Sequence, residues 1–435
     1  MSPETPKTAP PKTHLVRLVA RKELLDHLLS LKFHICIVAM AMLMALSAFV
    51  MYRDYQVRME IFASMRERAK PRPQEDLMAV VEPRRLSVFA KGLDEILTRG
   101  YTVTAYNGIE PHEWQTPTTN LFALFSPPDL LYIVKVLLSL IAILFAYDAV
   151  CGEKEAGTLK LVLASAMSRG KFVAGKLLGG LAAVLIPFFT LWIGLLIVLA
   201  LLPGFSLTGG DFARVGLMFL ATVIYIALFF SLGVVVSAQA RSSAGALVSL
   251  LFLWAAIVFG IPSVANLLAE QISPPPSAET QVLLRRQAFV KSRFVAIQTP
   301  NMGRDQSFAD FNRDYDRLVE DYRSKLDAMI STSKNLCRIS PAATLTYIFT
   351  NLAGTGLDDQ HRLALSLMDF KNRNLSALTQ INMRYVPAFT PFEFRPLRLG
   401  DVFAEGTATD FALLVLVGGV LMTAAVFAFL RVDPR

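Results

Sequence analysis

At 435 residues, 54% hydrophobic and only 18% charged, the chain is too apolar for an ordinary soluble domain. Its formal net charge of +8 would suit nucleic acid only if the basic residues gathered in one patch; they are instead sorted by segment, so nucleic acid is not an expected partner. Three cysteines in 435 residues exclude a disulfide-stapled scaffold.

A helix needs roughly 20 apolar residues to cross a bilayer core. Six runs meet that need: Phe33–Tyr52, Leu130–Tyr147, Leu177–Leu202, Val215–Ala238, Ala244–Leu268 and Phe411–Leu430. Backbone N–H and C=O groups in lipid need partners within the segment, so each run is expected to be helical. The expected fold is therefore an all-α membrane protein with six transmembrane helices and a mainly helical extracytoplasmic domain.

In chain order, residues 1–13 are rich in Pro, Thr and Lys and read as a disordered cytoplasmic tail. Residues 14–31 place Leu15, Leu18, Val19, Leu25, Leu28 and Leu29 near one face, with Arg17, Arg21, Glu23 and His27 on the other. That pattern predicts an amphipathic helix in the headgroup layer. The first span (33–52) leads into extracytoplasmic segment 1 (53–129), where a helix is expected at Leu86–Arg99. The second span (130–147) is followed by a cytoplasmic loop (148–176) and the third span (177–202). The fourth (215–238) and fifth (244–268) spans precede extracytoplasmic segment 2 (270–410). Within it, Phe308, Phe311, Tyr315, Leu318, Tyr322, Leu326 and Met329 recur at helical spacing and predict an amphipathic helix. Ser340-Pro341 predicts the start of another helix, with Gly354 as its end, and a third is expected at Leu357–Phe370. The sixth span (411–430) closes on a short cytoplasmic tail, 431–435.

Charge orients these spans. The two long hydrophilic segments hold 27 Lys/Arg and 27 Asp/Glu, so the remaining 16 basic and 8 acidic residues carry the whole net charge. Short loops rich in Lys and Arg stay cytoplasmic, whereas long domains cross largely regardless of charge. The connection Pro203–Phe212 contains neither Lys nor Arg, as an outer loop should. Both termini are expected in the cytoplasm, in a multi-pass plasma (inner) membrane protein. Cys36, Cys151 and Cys337 then fall in separate compartments and cannot pair within the chain.

The loop 148–176 carries the most information. Glu153 and Glu155 lead into Gly157-Thr158, a turn-and-cap signal. Leu159–Met167 is short and apolar enough for a helix along the membrane surface, and Arg169, Lys171 and Lys176 follow at re-entry. An acidic pair, Gly-Thr-Leu, a short apolar helix, then Ser-Arg and Gly-Lys entering a span resembles the permeases of the type-2 ABC exporter family. The helix ahead of the first span fits the same likeness, as do six spans. Two large outer insertions, with Ser-Pro-Ala-Ala and Leu-Ala-Gly-Thr-Gly across Ser340–Gly356, resemble a subgroup often grouped with multicopper-enzyme-maturation permeases. The likeness runs from about His14 to the end of the chain.

The resemblance implies a transmembrane permease subunit and not an enzyme. It implies a loop that docks on an ABC ATPase subunit through Glu153, Glu155, Gly157, Thr158, Leu159 and Arg169. It further implies a second permease subunit, as homo- or heterodimer, and Mg-ATP bound on the partner ATPase. The competing expectation is a non-transporting membrane anchor or sensor whose outer domain binds a partner.

Several motifs fail on inspection. Gly152 and Gly157 have Walker A spacing, but Thr158-Leu159 stands where Lys-Ser/Thr is required. No cofactor or metal is therefore expected in this chain itself. Ser168–Lys171 fits Ser-x-x-Lys without companion motifs. Met40, Met42 and Met44 near His34 and Cys36 suggest Cu(I), yet Met42 points away from the other two on a helix, and membrane packing is the expected role. Lys135 lies within snorkelling reach of the outer end of its span. Gly175, Gly179 and Gly180, and Gly418 with Gly419, are candidates for close helix packing.

Overall fold

The computed structural model describes residues 13–69, 77–97, 100–104, 108–111, 128–158, 168–274, 304–374 and 390–431, together with Leu283, Arg286 and Val290. Two compact units emerge: Met1–Ala255 with Thr344–Arg435, and Ala256–Ala343.

The first unit opens with α1 (Thr13–Leu28) and α2 (Leu31–Arg68). Ser30 separates them: its Oγ donates to the His27 carbonyl at 2.7 Å and accepts from Phe33 N at 3.3 Å, capping α2. Next come α3 (Leu130–Glu155), α4 (Arg169–Leu201), α5 (Gly209–Gln239) and α6 (Ser243–Ile272), whose residues from Ala256 on belong to the second unit. The helices of the first unit's later part are α8 (Pro341–Ala353), α9 (Leu357–Arg373) and α10 (Leu399–Leu430). Among the described residues six helices, α2 to α6 and α10, are long and apolar enough to cross a membrane.

The fourth span, α5, forms the centre. Tyr225, Ile226, Leu228 and Phe229 are wholly buried there, and α5 packs on both α3 and α10. The outward faces of α4, α6 and α10 instead carry Ile186, Ile197, Phe252, Leu416 and Phe427 exposed. Such surfaces suit contact with acyl chains, which are as apolar as leucine.

All six helices outrun their apolar cores. The first continues from the membrane run through Arg68, because nothing between Tyr52 and Arg68 breaks a helix.

One local expectation is corrected. The segment expected as a helix at Leu86–Arg99 is a 3-10 turn, Arg85–Val88, and a single helical turn, Asp94–Leu97; residues 98–99 lie outside the described set. Gly92 divides them at φ 48°, and a side chain there would come within 2.5 Å of the Thr355 carbonyl oxygen. A small antiparallel sheet also stands in this region, β1 (Leu77–Ala79), β2 (Tyr101–Thr104) and β3 (Gly108–Pro111), with Leu77 facing Val103 and Val103 facing Ile109. Arg58 of α2, paired with Asp54 of its own helix at 3.0 Å, anchors the region through an ion pair to the fully buried Asp94.

Helix α8 starts at Pro341 and ends before Gly354, whose φ of 74° stops it. Helix α9 runs on to Arg373, past the expected Phe370.

In the second unit, Ile261–Ile272 packs along α7 (Arg304–Cys337), a helix longer than its aromatic stripe alone predicted. Asn266 accepts from Ser333 Oγ at 2.5 Å and from Cys337 Sγ at 3.4 Å, and Ser340 Oγ donates to the Ile257 carbonyl at 2.6 Å.

Candidate functional site

The loop between the second and third spans is rooted in four helices. Lys176, on the first turns of α4, pairs with Glu23 of α1 at 2.7 Å and with Glu153 at 2.9 Å. All three side chains are at most 15% exposed. Two carboxylates around one ammonium in so dry a place hold three segments together. Charged groups removed from water are tolerated only when paired.

Glycines permit that arrangement. Gly175 and Gly179 sit four residues apart on one face of α4. A Cβ on Gly175 would lie 2.7 Å from Val19 Cβ, and one on Gly179 only 2.5 Å from the Ala20 carbonyl. Only bare backbone lets α1 lie this close to α4, and closeness brings Glu23 within reach of Lys176.

The C-terminal end of α5 forms the second anchor. Ser237 Oγ, fully buried, accepts from Val150 N at 3.0 Å and Cys151 N at 3.1 Å. Lys154 Nζ donates to the Ala238 carbonyl at 2.5 Å, where the last carbonyls of a helix attract cations. Glu155 is the third anchor: it accepts from Ser243 N at 2.9 Å and Ser243 Oγ at 2.6 Å at the start of α6. A fourth contact joins the first span, where Lys32 pairs with Asp148 at 2.7 Å and lies over the Tyr147 ring.

The predicted loop residues thus divide by role. Glu153 and Glu155 are internal anchors. Gly157 turns the chain at φ 70° with no described residue near its α-carbon, and Thr158 Oγ1 donates to the Glu153 carbonyl at 3.3 Å. Arg169 reaches the Leu430 carbonyl at 3.2 Å, at the end of the sixth span. Leu159 and the expected helix to Met167 lie outside the described residues. Glu23 was read from the sequence as a water-facing residue, yet it faces α4. The signal available was the Gly-x-x-x-Gly spacing next to Lys176.

A protein-family model described as "ABC-2 family transporter protein" matches residues 17–433. The chain belongs to the ABC-2 transporter family. It is also similar to the probable ABC transporter permease protein NosY of Pseudomonas aeruginosa, at 35% identity over 139 residues. That alignment covers 31% of this chain and 50% of the relative. NosY of Stutzerimonas stutzeri is 41% identical over 70 residues, covering 16% of this chain and 21% of that one. The chain therefore spans at most half the length of these curated relatives.

The structure of this ABC-2 family member also places the other groups its sequence singled out. Met40 and Met44 are buried, at 2% and 3% exposure, whereas Met42 is 68% exposed, so the three do not share a face. Lys135 sits in a π-helical turn, Ile133–Leu138, and its carbonyl accepts from Tyr225 Oη at 2.9 Å and Ser139 Oγ at 2.6 Å. Ser139 Oγ in turn accepts from Trp254 Nε1 at 2.9 Å. The widened turn thus has its freed carbonyl satisfied by the fourth span and its serine by the fifth. Gly180 faces the Phe230 ring, while Gly418 and Gly419 make no tight approach among the described residues.

Proposed function

We propose that this ABC-2 protein is the permease subunit of an ATP-driven exporter and that the loop 148–176 receives the stroke of a separate ATPase subunit. Mg-ATP would be bound on that partner, and a second permease subunit would complete the pathway. Both termini and the loop would face the cytoplasm of a plasma (inner) membrane, as their excess of Lys and Arg supports.

The observation that carries the reading is the clamp of Glu23, Lys176 and Glu153. A force on the loop can move spans only if its ends do not yield. Here one end is bonded to α1, α5 and α6, and the other is α4 itself. A push therefore reaches several helices at once, as rigid elements in a two-state transition require. Relatives described as ABC transporter permeases support the same direction.

Photo-crosslinking tests it. A crosslinker placed at position 158 of the full chain should capture a Walker-motif ATPase in cells, and one at exposed position 206, on the opposite side, should not. Gly157→Pro should leave membrane insertion intact and abolish the coupling of ATP hydrolysis to transport. Capture of an ATPase from position 206 but not 158 would refute the docking assignment.

A further inference from the structure

At the other end of the spans lies a cavity of about 1150 Å³. It is framed by the end of α2, the segment 77–86, the start of α5, the turn after α8 and the stretch 390–402. Its volume reaches the upper end of small-molecule sites.

Six arginines line it, Arg66, Arg84, Arg85, Arg214, Arg395 and Arg398, against four carboxylates among the described residues. Three of those carboxylates are engaged locally. Asp359 pairs with Arg362, Asp211 accepts from Thr208 N and Oγ at 2.8 and 2.7 Å, and Glu393 pairs with Arg395 at 2.7 Å. Arg214 is held by the Leu352 and Leu397 carbonyls, so its charge points along the wall. Arg66 and Arg398 are exposed, and neither makes an ion pair among the described residues.

Arg84 is the decisive group. Its Nη2 is buried and has no hydrogen-bond partner among the described residues. The guanidinium rests over the Phe394 ring, 5.0 Å from the centroid, and Arg362 lies over the same ring at 5.6 Å. Burial pushes the Arg84 guanidinium below its ordinary pKa, and the carboxylates of Asp359 and Glu82 offset only part of that cost. A donor with no acceptor among the described residues, at the edge of a cavity, is placed to take one from a ligand. Phe62, Phe370, Phe392, Phe394 and Leu397 supply apolar walls beside it.

We infer that this cavity binds a small amphiphilic anion, with its carboxylate, sulfonate or phosphate head on Arg84 and Arg398 and its apolar body against Phe392 and Phe394. A bare inorganic anion would leave the aromatic walls unused, and a neutral apolar molecule would give Arg84 Nη2 no anionic acceptor. The inference does not rest on where the ATPase docks, because that loop lies at the opposite ends of α4 and α5.

Calorimetric titration of the full chain in phosphatidylcholine nanodiscs tests it. The probes are naphthalene-2-sulfonate, naphthalene-2-methanol, inorganic sulfate and an oligoglutamate peptide. Naphthalene-2-sulfonate should bind saturably, at least about tenfold more tightly than each of the others, and more weakly as salt rises. Arg84→Gln should weaken it by about tenfold or more, because it removes the orphaned donor and its charge. Arg398→Glu, at an exposed residue whose inversion spares the fold, should weaken it as well, while Arg373→Gln, away from the cavity, should not. Equal binding of the neutral analogue, of sulfate or of the peptide would overturn the inference. So would wild-type affinity in both the Arg84 and Arg398 variants.

Discussion

Replacing Lys176 by methionine tests the clamp most directly. The substitution keeps an unbranched side chain one atom shorter and removes the cation shared by Glu23 and Glu153. Lys176 is 7% exposed, so water cannot take over its role. Removing one partner of a buried ion pair typically costs about 3–5 kcal/mol, since the charge left behind is uncompensated. Lys176→Met should therefore lower unfolding stability by roughly that amount. Replacing the whole triad with uncharged residues, Glu23→Gln, Glu153→Gln and Lys176→Met together, should recover stability to within about 1 kcal/mol of the unaltered chain, because no buried charge remains. Equilibrium unfolding in mixed detergent micelles, followed by circular dichroism, measures both. A single variant within about 1 kcal/mol of the original chain would refute the clamp, as would a triple variant no more stable than the single one.

Three further outcomes follow from the same geometry. Gly179→Leu should push α1 from α4 and cost about 1–3 kcal/mol, read in the same unfolding experiment. Ser237→Ala should cost about 1–3 kcal/mol by leaving the Val150 and Cys151 N–H groups without an acceptor, and Ser237→Thr should recover part of it. Burial beside Phe145 depresses the pKa of His27, so its neutral form favours the fold. That contribution is intact above the ordinary histidine value of 6.5 and is lost as pH falls through the depressed value; His27→Asn should flatten the stability profile in that window.

The membrane architecture was legible because hydropathy alone imposes it. A run such as Val215–Ala238 has one stable form in lipid, so α5 follows from composition. The loop motif was legible as a spacing, since the turn at Gly157 needs a residue that adopts positive φ. The pairings were not. Nothing in the neighbourhood of Glu23 names Lys176, which lies 153 residues away. Helical-wheel reasoning assigns a carboxylate to the wet face, and here the tertiary partner overrides it. The short strands β1 to β3 were likewise hidden, because three or four residues give too little alternation to set a period. The failed helix at Leu86–Arg99 shows a similar limit. Gly92 costs an isolated helix only about 1 kcal/mol, so its propensity is a weak warning. The Thr355 carbonyl against its α-carbon is what makes the break obligatory.

The distribution of these bonds argues for how the loop works. Glu153 and Glu155 were expected to face a partner, yet each is occupied within the chain, by Lys176 and by Ser243. The acidic pair therefore holds the loop's base, and on the proposed docking reading contact with a partner would fall chiefly to the part from Gly157 onward. A rigid base with a swivel at one glycine separates two tasks that would conflict in one segment. On that reading the base would keep its bonds through every cycle, whereas the tip would tolerate a changing angle. The space around Gly157 fits that division, since no neighbour among the described residues restricts the turn. On this argument Gly157→Asn, which accepts positive φ, should preserve coupling. Gly157→Val should impair it while leaving the base intact, as shown by unchanged protection of the buried Cys151 from thiol reagents. Faster labelling of Cys151 in the valine variant would mean that base and tip move together, and the division of roles would fail.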